Sequence, residues 1–182
     1  MTNRFLSRHM GMLAVGSAVV AASIYTLMIS VTLAHIQAVS GQIPFDMRPT
    51  GYGPAEAAAL LDALGADGRS YYIIRQIALD TIYPAMLALT LVSAICWLGQ
   101  RLQNRTLVRF GIALSIAAAL FDYLENLGIV AMIWSWPEVS APLVYAASSA
   151  SILKSVLTTL AVISVLLTGF NRIRLSKAGF HP

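Results

Sequence analysis

Four long stretches of this chain carry almost no polar residue, and short polar segments separate them. The first runs from Gly11 to Ile36 with no charged residue before His35; the others run from about Ile73 to Leu98, Phe110 to Trp134 and Ser149 to Phe170. A helix rises 1.5 Å per residue, so roughly 20 residues cross the hydrocarbon core of a bilayer. Arg4, Arg8 and His9 ahead of the first stretch resemble the basic start of a secretion signal. The apolar part of such a signal is only about 7–15 residues long, and this one is longer, so it reads as a retained helix. The pattern predicts an all-α integral membrane protein built as one domain over residues 1–182. It is a four-transmembrane-helix bundle with spans near 11–36, 73–98, 110–134 and 149–170 and an outer loop over 37–72.

Charge then orients the bundle. Arg4 and Arg8 lie in the N-terminal tail, Arg101, Arg105 and Arg109 between spans 2 and 3, and Arg172, Arg174 and Lys177 in the C-terminal tail. No acidic residue lies in these segments. Short Lys- and Arg-rich segments stay in the cytoplasm, so both termini are expected inside and 37–72 outside, in a bacterial inner membrane. Tyr71, Tyr72, Trp134 and Trp136 would mark one interface and Trp97 the other. The net charge of +4 is therefore a topology signal, and no nucleic-acid partner is expected.

Composition agrees. The chain is 58% hydrophobic and 11% charged, against about 45–50% and about 25% for soluble domains. One cysteine, Cys96, excludes an intrachain disulfide framework, and three scattered histidines, His9, His35 and His181, suggest no metal cluster. No cofactor is expected, and no phosphate loop, nucleophile elbow, CxxC or HExxH is present.

The outer loop has order of its own. Gly53-Pro54-Ala55-Glu56 places proline in a first helical turn with an acid behind it, and Gly65 suits a C-terminal cap. Leu60, Leu61 and Leu64 give this short amphipathic helix one apolar edge, fit to lie on the membrane or to lid the bundle. Asp67-Gly68-Arg69 reads as a turn beyond it.

The informative residues are the polar ones inside the spans. At 100° per residue Asp122, Glu125 and Asn126 share an arc of about 100° on span 3, while Leu120, Leu124 and Leu127 face elsewhere. A carboxylate near the bilayer centre costs roughly 2.5–3.5 kcal/mol on insertion scales, so this stripe must face protein or water. Span 2 offers Gln76, Asp80 and Tyr83, then Pro84, which should free a carbonyl. Span 4 offers Ser151, Lys154, Ser155 and Thr158 at i, i+3, i+4 and i+7. Span 1 offers Tyr25, Thr32 and His35. Counted from the outer surface these groups share the outer half of the bundle, while the inner half of spans 2 and 4 is apolar. Small residues on span 1, Gly11, Ala14, Gly16 and Ala18, suggest one close helix contact.

These stripes predict a polar, outward-facing pocket within the membrane for a lipid or a lipophilic small molecule. Acid–base chemistry of an isomerase type would use Asp122 and Glu125 as the catalytic pair. Asp80, Tyr83, Asn126, Lys154, Tyr25 and His35 would bind the ligand. Two alternatives stand beside this: a proton-coupled transporter or channel subunit, and a non-catalytic accessory subunit of a larger membrane complex. The partners expected are membrane lipid, a lipophilic small molecule, and further copies of the chain or a larger assembly.

Overall fold

The computed structural model describes residues 2–102 and 105–178, with side chains described for 9–100, 102 and 105–175. Arg4, Arg8, Arg101, Lys177 and His181, all named above, lie outside those side chains. The described residues form helices joined by short loops, with no strand. Helix α1 (Thr2–Leu27) passes through a π-helical turn at Met28–Thr32 into α2 (Leu33–Ser40). A 3₁₀ turn at Phe45–Met47 precedes α3 (Pro54–Tyr71), which a second π turn at Tyr72–Ile77 joins to α4 (Ala78–Leu98). The last two helices are α5 (Thr106–Trp134) and α6 (Ala141–Ala178). Four continuous stretches, His9–Ser40, Pro54–Leu98, Thr106–Trp134 and Ala141–Leu175, are long and apolar enough to cross a membrane. Leu120, Leu124 and Leu127 are exposed on the outside of the bundle.

The helices run further than the apolar stretches that predicted them, most of all before α4. Pro54 opens α3, and the Glu56 carboxylate accepts the Gly53 N–H at 2.8 Å. Ala57, Leu60, Leu61 and Leu64 form its buried face. Gly65 alone leaves helical geometry, at φ 62° and ψ −176°, a conformation open to glycine because it lacks a Cβ. The chain then re-enters helix at once. Asp67-Gly68-Arg69 is therefore not a turn. Gly68 is buried against Leu64, whose Cδ2 lies 3.0 Å from where a Cβ would stand, so the missing side chain serves packing rather than chain reversal.

Helix α4 packs on α1, α5 and α6, and α5 and α6 form the most extensive pair. A Cβ on Gly128 would stand 2.6 Å from that of Ala147, so α5 and α6 cross almost backbone to backbone. On α1, Gly11 lies against the Trp97 indole, and Ala14, Ser17 and Ala21 are buried. Gly16 meets nothing within 4 Å. The predicted small-residue contact holds at Gly11 and Ala14 and fails at Gly16, which the helical period turns outward.

Gly11, Trp97 and Arg172 share one end of the bundle, where Arg172 lies over the Trp97 ring and donates to its carbonyl at 3.0 Å. Arg69 lies over the Trp136 ring at the opposite end, beside residues 41–53. Each end has its own apolar core. Phe45, Leu60, Leu61, Tyr72, Ile129, Met132 and Val144 fill the loop end. Leu91, Leu114 and Ala161, with Leu87, Leu157 and Val165 against them, fill the termini end. The buried acids Asp80, Asp122 and Glu125 lie between.

Candidate functional site

Pro84 is the local cause of the first feature. Its ring has no N–H, so the Asp80 carbonyl one turn earlier loses its helical donor. Asn126 on α5 supplies the replacement, its Nδ2 donating to that carbonyl at 2.9 Å. One residue on, the Tyr123 hydroxyl donates to the Thr81 carbonyl, also at 2.9 Å. The break in α4 thus becomes the seam that holds α5. Asn126 is an interhelical tie and does not line the cavity described below.

The second feature is a buried ion triad. Asp122 and Glu125 lie one turn apart on α5 and face Lys154 on α6. Lys154 Nζ donates to Asp122 Oδ1 at 3.0 Å and pairs with Glu125 Oε2. Ser151, one turn before Lys154, donates to Glu125 Oε1 at 2.5 Å. Lys154 points inward, with its side chain 16% exposed, rather than out to the interface. Glu125 sits behind the lysine with no exposed surface, which leaves Asp122 as the member of the pair on the cavity wall.

The third feature comes from a residue the helical stripes do not contain. Asp46, in the 3₁₀ turn between α2 and α3, is carried down onto the site. Its Oδ2 accepts from the Tyr72 hydroxyl, which in turn accepts the Phe45 N–H at 3.1 Å. Its Oδ1 accepts Gln76 Nε2 at 3.1 Å, and Thr32 Oγ1 donates to Gln76 Oε1 at 2.5 Å. Thr32, Tyr72 and Gln76 all belong to the two π turns, so the places where helical period breaks are the places that hold Asp46. Such turns recur at functional positions. The Asp46 carboxyl also lies beside that of Asp80.

These elements enclose a half-open cavity of about 420 Å³ between α1 and α6, with α4 behind it. Such a volume lies in the range of roughly 300–1,000 Å³ found for small-molecule sites. Its polar wall is Asp46, Asp80, Asp122 and Lys154, with Tyr25 and Tyr83 stacked at a ring separation of 5.7 Å. Met28, Ile29, Leu33 and Leu87 make the apolar wall, and Ser155 and Thr158 complete the α6 side. Tyr25, Met47 and Pro49 at the rim are exposed.

One atom on this wall lacks an N–H or hydroxyl donor. Asp80 is 1% exposed, and its Oδ2 receives no such donor among the described residues; the group beside it is the Asp46 carboxyl, within hydrogen-bonding reach. A buried polar atom left without a partner costs about 1–3 kcal/mol, and more when charged. Tyr52, outside the apolar helices, is also buried; burial first, and then the charge of Glu125, push its phenol above the ordinary tyrosine value, against a smaller opposing effect of Ser151.

His35 does not join the cavity. It is exposed, lies 4.2 Å from the Tyr71 ring and borders a separate groove with Leu64 and Gly65. The π turn at Met28–Thr32 rotates everything after it, so a stripe drawn at constant period through Tyr25 and Thr32 misplaces residue 35. Asp46 is the cavity residue that sequence reasoning missed, for it lies in irregular chain where no periodicity speaks.

No family model, curated protein or solved structure matches this chain, so its function is argued from these residues alone.

Proposed function

We propose that this protein is a four-span membrane protein, with both termini in the cytoplasm of a bacterial inner membrane, that holds a lipophilic small molecule or lipid in the cavity between α1 and α6. The observation that carries this reading is Asp80, buried on the polar wall opposite an apolar one, with an Oδ2 that receives no N–H or hydroxyl donor from the protein. An intramembrane ionisable group without such a donor calls for a ligand. Helix α3, with Leu60, Leu61 and Leu64 turned inward, acts as a lid on the outer end.

A proton or ion pathway would need polar groups through the rest of the bundle. The termini end has Leu91, Leu114 and Ala161 at its core and serine and threonine hydroxyls but no ionisable group among its described buried residues, which favours a closed pocket over a transporter. Acid–base chemistry is the second reading, and what favours it is the pair of acids, Asp80 and Asp122, on one cavity wall. In this reading Asp122 handles the proton, and Glu125 fixes Lys154 in place.

Orientation is checked on a Cys96→Ser background. A cysteine at Ser40 should react with an impermeant maleimide added outside, and one at Gln100 only after the cytoplasmic face is opened. Reaction of both from one side would reverse or abolish the proposed topology.

Occupancy is checked with an alkyl diazirine dissolved in the bilayer. On illumination it should insert at Tyr83 and Leu87 inside the cavity as well as at the outward-facing Leu120 and Leu127. Thr158→Trp, which fills the α6 side, should lower the cavity labels several-fold and leave the outer ones unchanged. Cavity labels that are absent, or indifferent to Thr158→Trp, would rule out a ligand-accessible pocket.

A further inference from the structure

Acids outnumber bases around the cavity. Asp46, Asp80 and Asp122 line it and Glu125 stands behind, against one ammonium, Lys154. Lys154 is already shared by Asp122 and Glu125. Asp46 receives only neutral donors, Tyr72 and Gln76. Asp80 Oδ2 receives no N–H or hydroxyl donor, and the Asp46 carboxyl is the group within its hydrogen-bonding reach. Arg48, close in sequence to Asp46, is turned away to Glu56 at 3.4 Å and to the Ile43 carbonyl at 2.8 and 2.9 Å.

Resting on the pocket reading above, we propose that the ligand is a lipophilic cation: an alkyl- or arylalkylamine whose ammonium sits between Asp46 and Asp80 and whose tail lies along Met28, Ile29, Leu33 and Leu87.

Four observations select this class. The Asp80 oxygen that lacks an N–H or hydroxyl donor accepts hydrogen bonds, and a protonated amine offers a charge-assisted donor where a neutral lipid offers a weaker one or none. The stacked rings of Tyr25 and Tyr83 stand on the same wall, and aromatic faces attract a cation within about 6 Å. A bare metal ion fits poorly, because among the described residues no group of three or more His, Cys, Asp and Glu is arranged to hold one. A fatty acid or phosphate-bearing headgroup fits poorly too, because the one cation on the cavity wall is already paired with two carboxylates. That last point favours a free amine over an aminophospholipid.

The full-length protein in phosphatidylcholine nanodiscs tests this with three probes of equal chain length: dodecylamine, 1-dodecanol and dodecanoic acid. Retention is measured by native mass spectrometry, with empty nanodiscs giving the partitioning background. Dodecylamine should be retained one to one and at least about tenfold more tightly than the other two, the ratio expected of one charge-assisted hydrogen bond. Asp80→Asn should bring the amine down to the level of the alcohol while the melting temperature stays the same or rises. Should Asp80→Asn fail to fold, Asp46→Asn replaces it, since an asparagine oxygen still accepts from Tyr72. Equal retention of amine and alcohol, lost together in Thr158→Trp, would overturn the cation and leave the lipophilic pocket standing. Retention of none of the three would overturn both. Displacement of dodecylamine by phosphatidylethanolamine would move the ammonium onto a lipid headgroup and overturn the assignment to a phosphate-free amine.

Discussion

Lys154→Met should be the most damaging single substitution in the bundle, costing about 3–5 kcal/mol of stability. The lysine is the shared counter-ion of Asp122 and Glu125, whose side chains are 10% and 0% exposed. Its removal strands two carboxylates in a medium that solvates neither. Removing one acid together with the lysine is an incomplete repair. Asp122→Asn with Lys154→Met still leaves Glu125 buried with Ser151 as its only remaining donor. The triple variant Asp122→Asn, Glu125→Gln, Lys154→Met takes out every charge of the triad, and it should recover most of the loss, because a buried ion pair replaced as a unit is often close to neutral. Thermal unfolding of the four proteins in one detergent decides it. A Lys154→Met protein as stable as the wild type would mean that the triad is not buried as described.

The second large effect lies at Pro84. Asn126→Leu removes the donor that satisfies the Asp80 carbonyl and should cost about 1–3 kcal/mol, since that carbonyl has no helical N–H to fall back on. Pro84→Ala restores an N–H at residue 84, so in that background the same Asn126→Leu change should cost markedly less. The double-mutant cycle isolates the coupling, because neither substitution adds a charge. Equal costs of Asn126→Leu in the two backgrounds would show that Asn126 does not stand in for the missing helical bond.

Much of this arrangement is legible before any coordinates, and the reason is the cost of polar groups in an apolar helix. Asp80, Asp122, Glu125, Asn126 and Lys154 stand out because almost everything around them is Leu, Ile, Val or Ala, and one helical period then says which of them share a face. The same arithmetic explains Pro84, whose freed carbonyl is expected from the ring alone, although which residue answers it is not. Legibility fails where the period fails. Two π turns each add a residue to a helical turn, which carries His35 off the Tyr25 face and sets Tyr72 and Gln76 around Asp46. It fails again in the chain before α3, where Asp46 and Tyr52 occupy positions set by tertiary contacts with Tyr72 and Ser148 rather than by any local pattern. The helices run past the apolar stretches because hydropathy marks the buried or lipid-facing middle of a helix and is silent about polar turns such as Asp67–Arg69.

The central claim is that the space between α1 and α6 is a binding site rather than a packing defect. The most direct measurement is a high-resolution structure of the protein extracted into nanodiscs with its native lipids. The expected result is ordered non-protein density along Met28, Leu33 and Leu87, ending within hydrogen-bond distance of Asp80 Oδ2. Density absent there, with Tyr25 and Thr158 closed against each other over a satisfied Asp80, would contradict it.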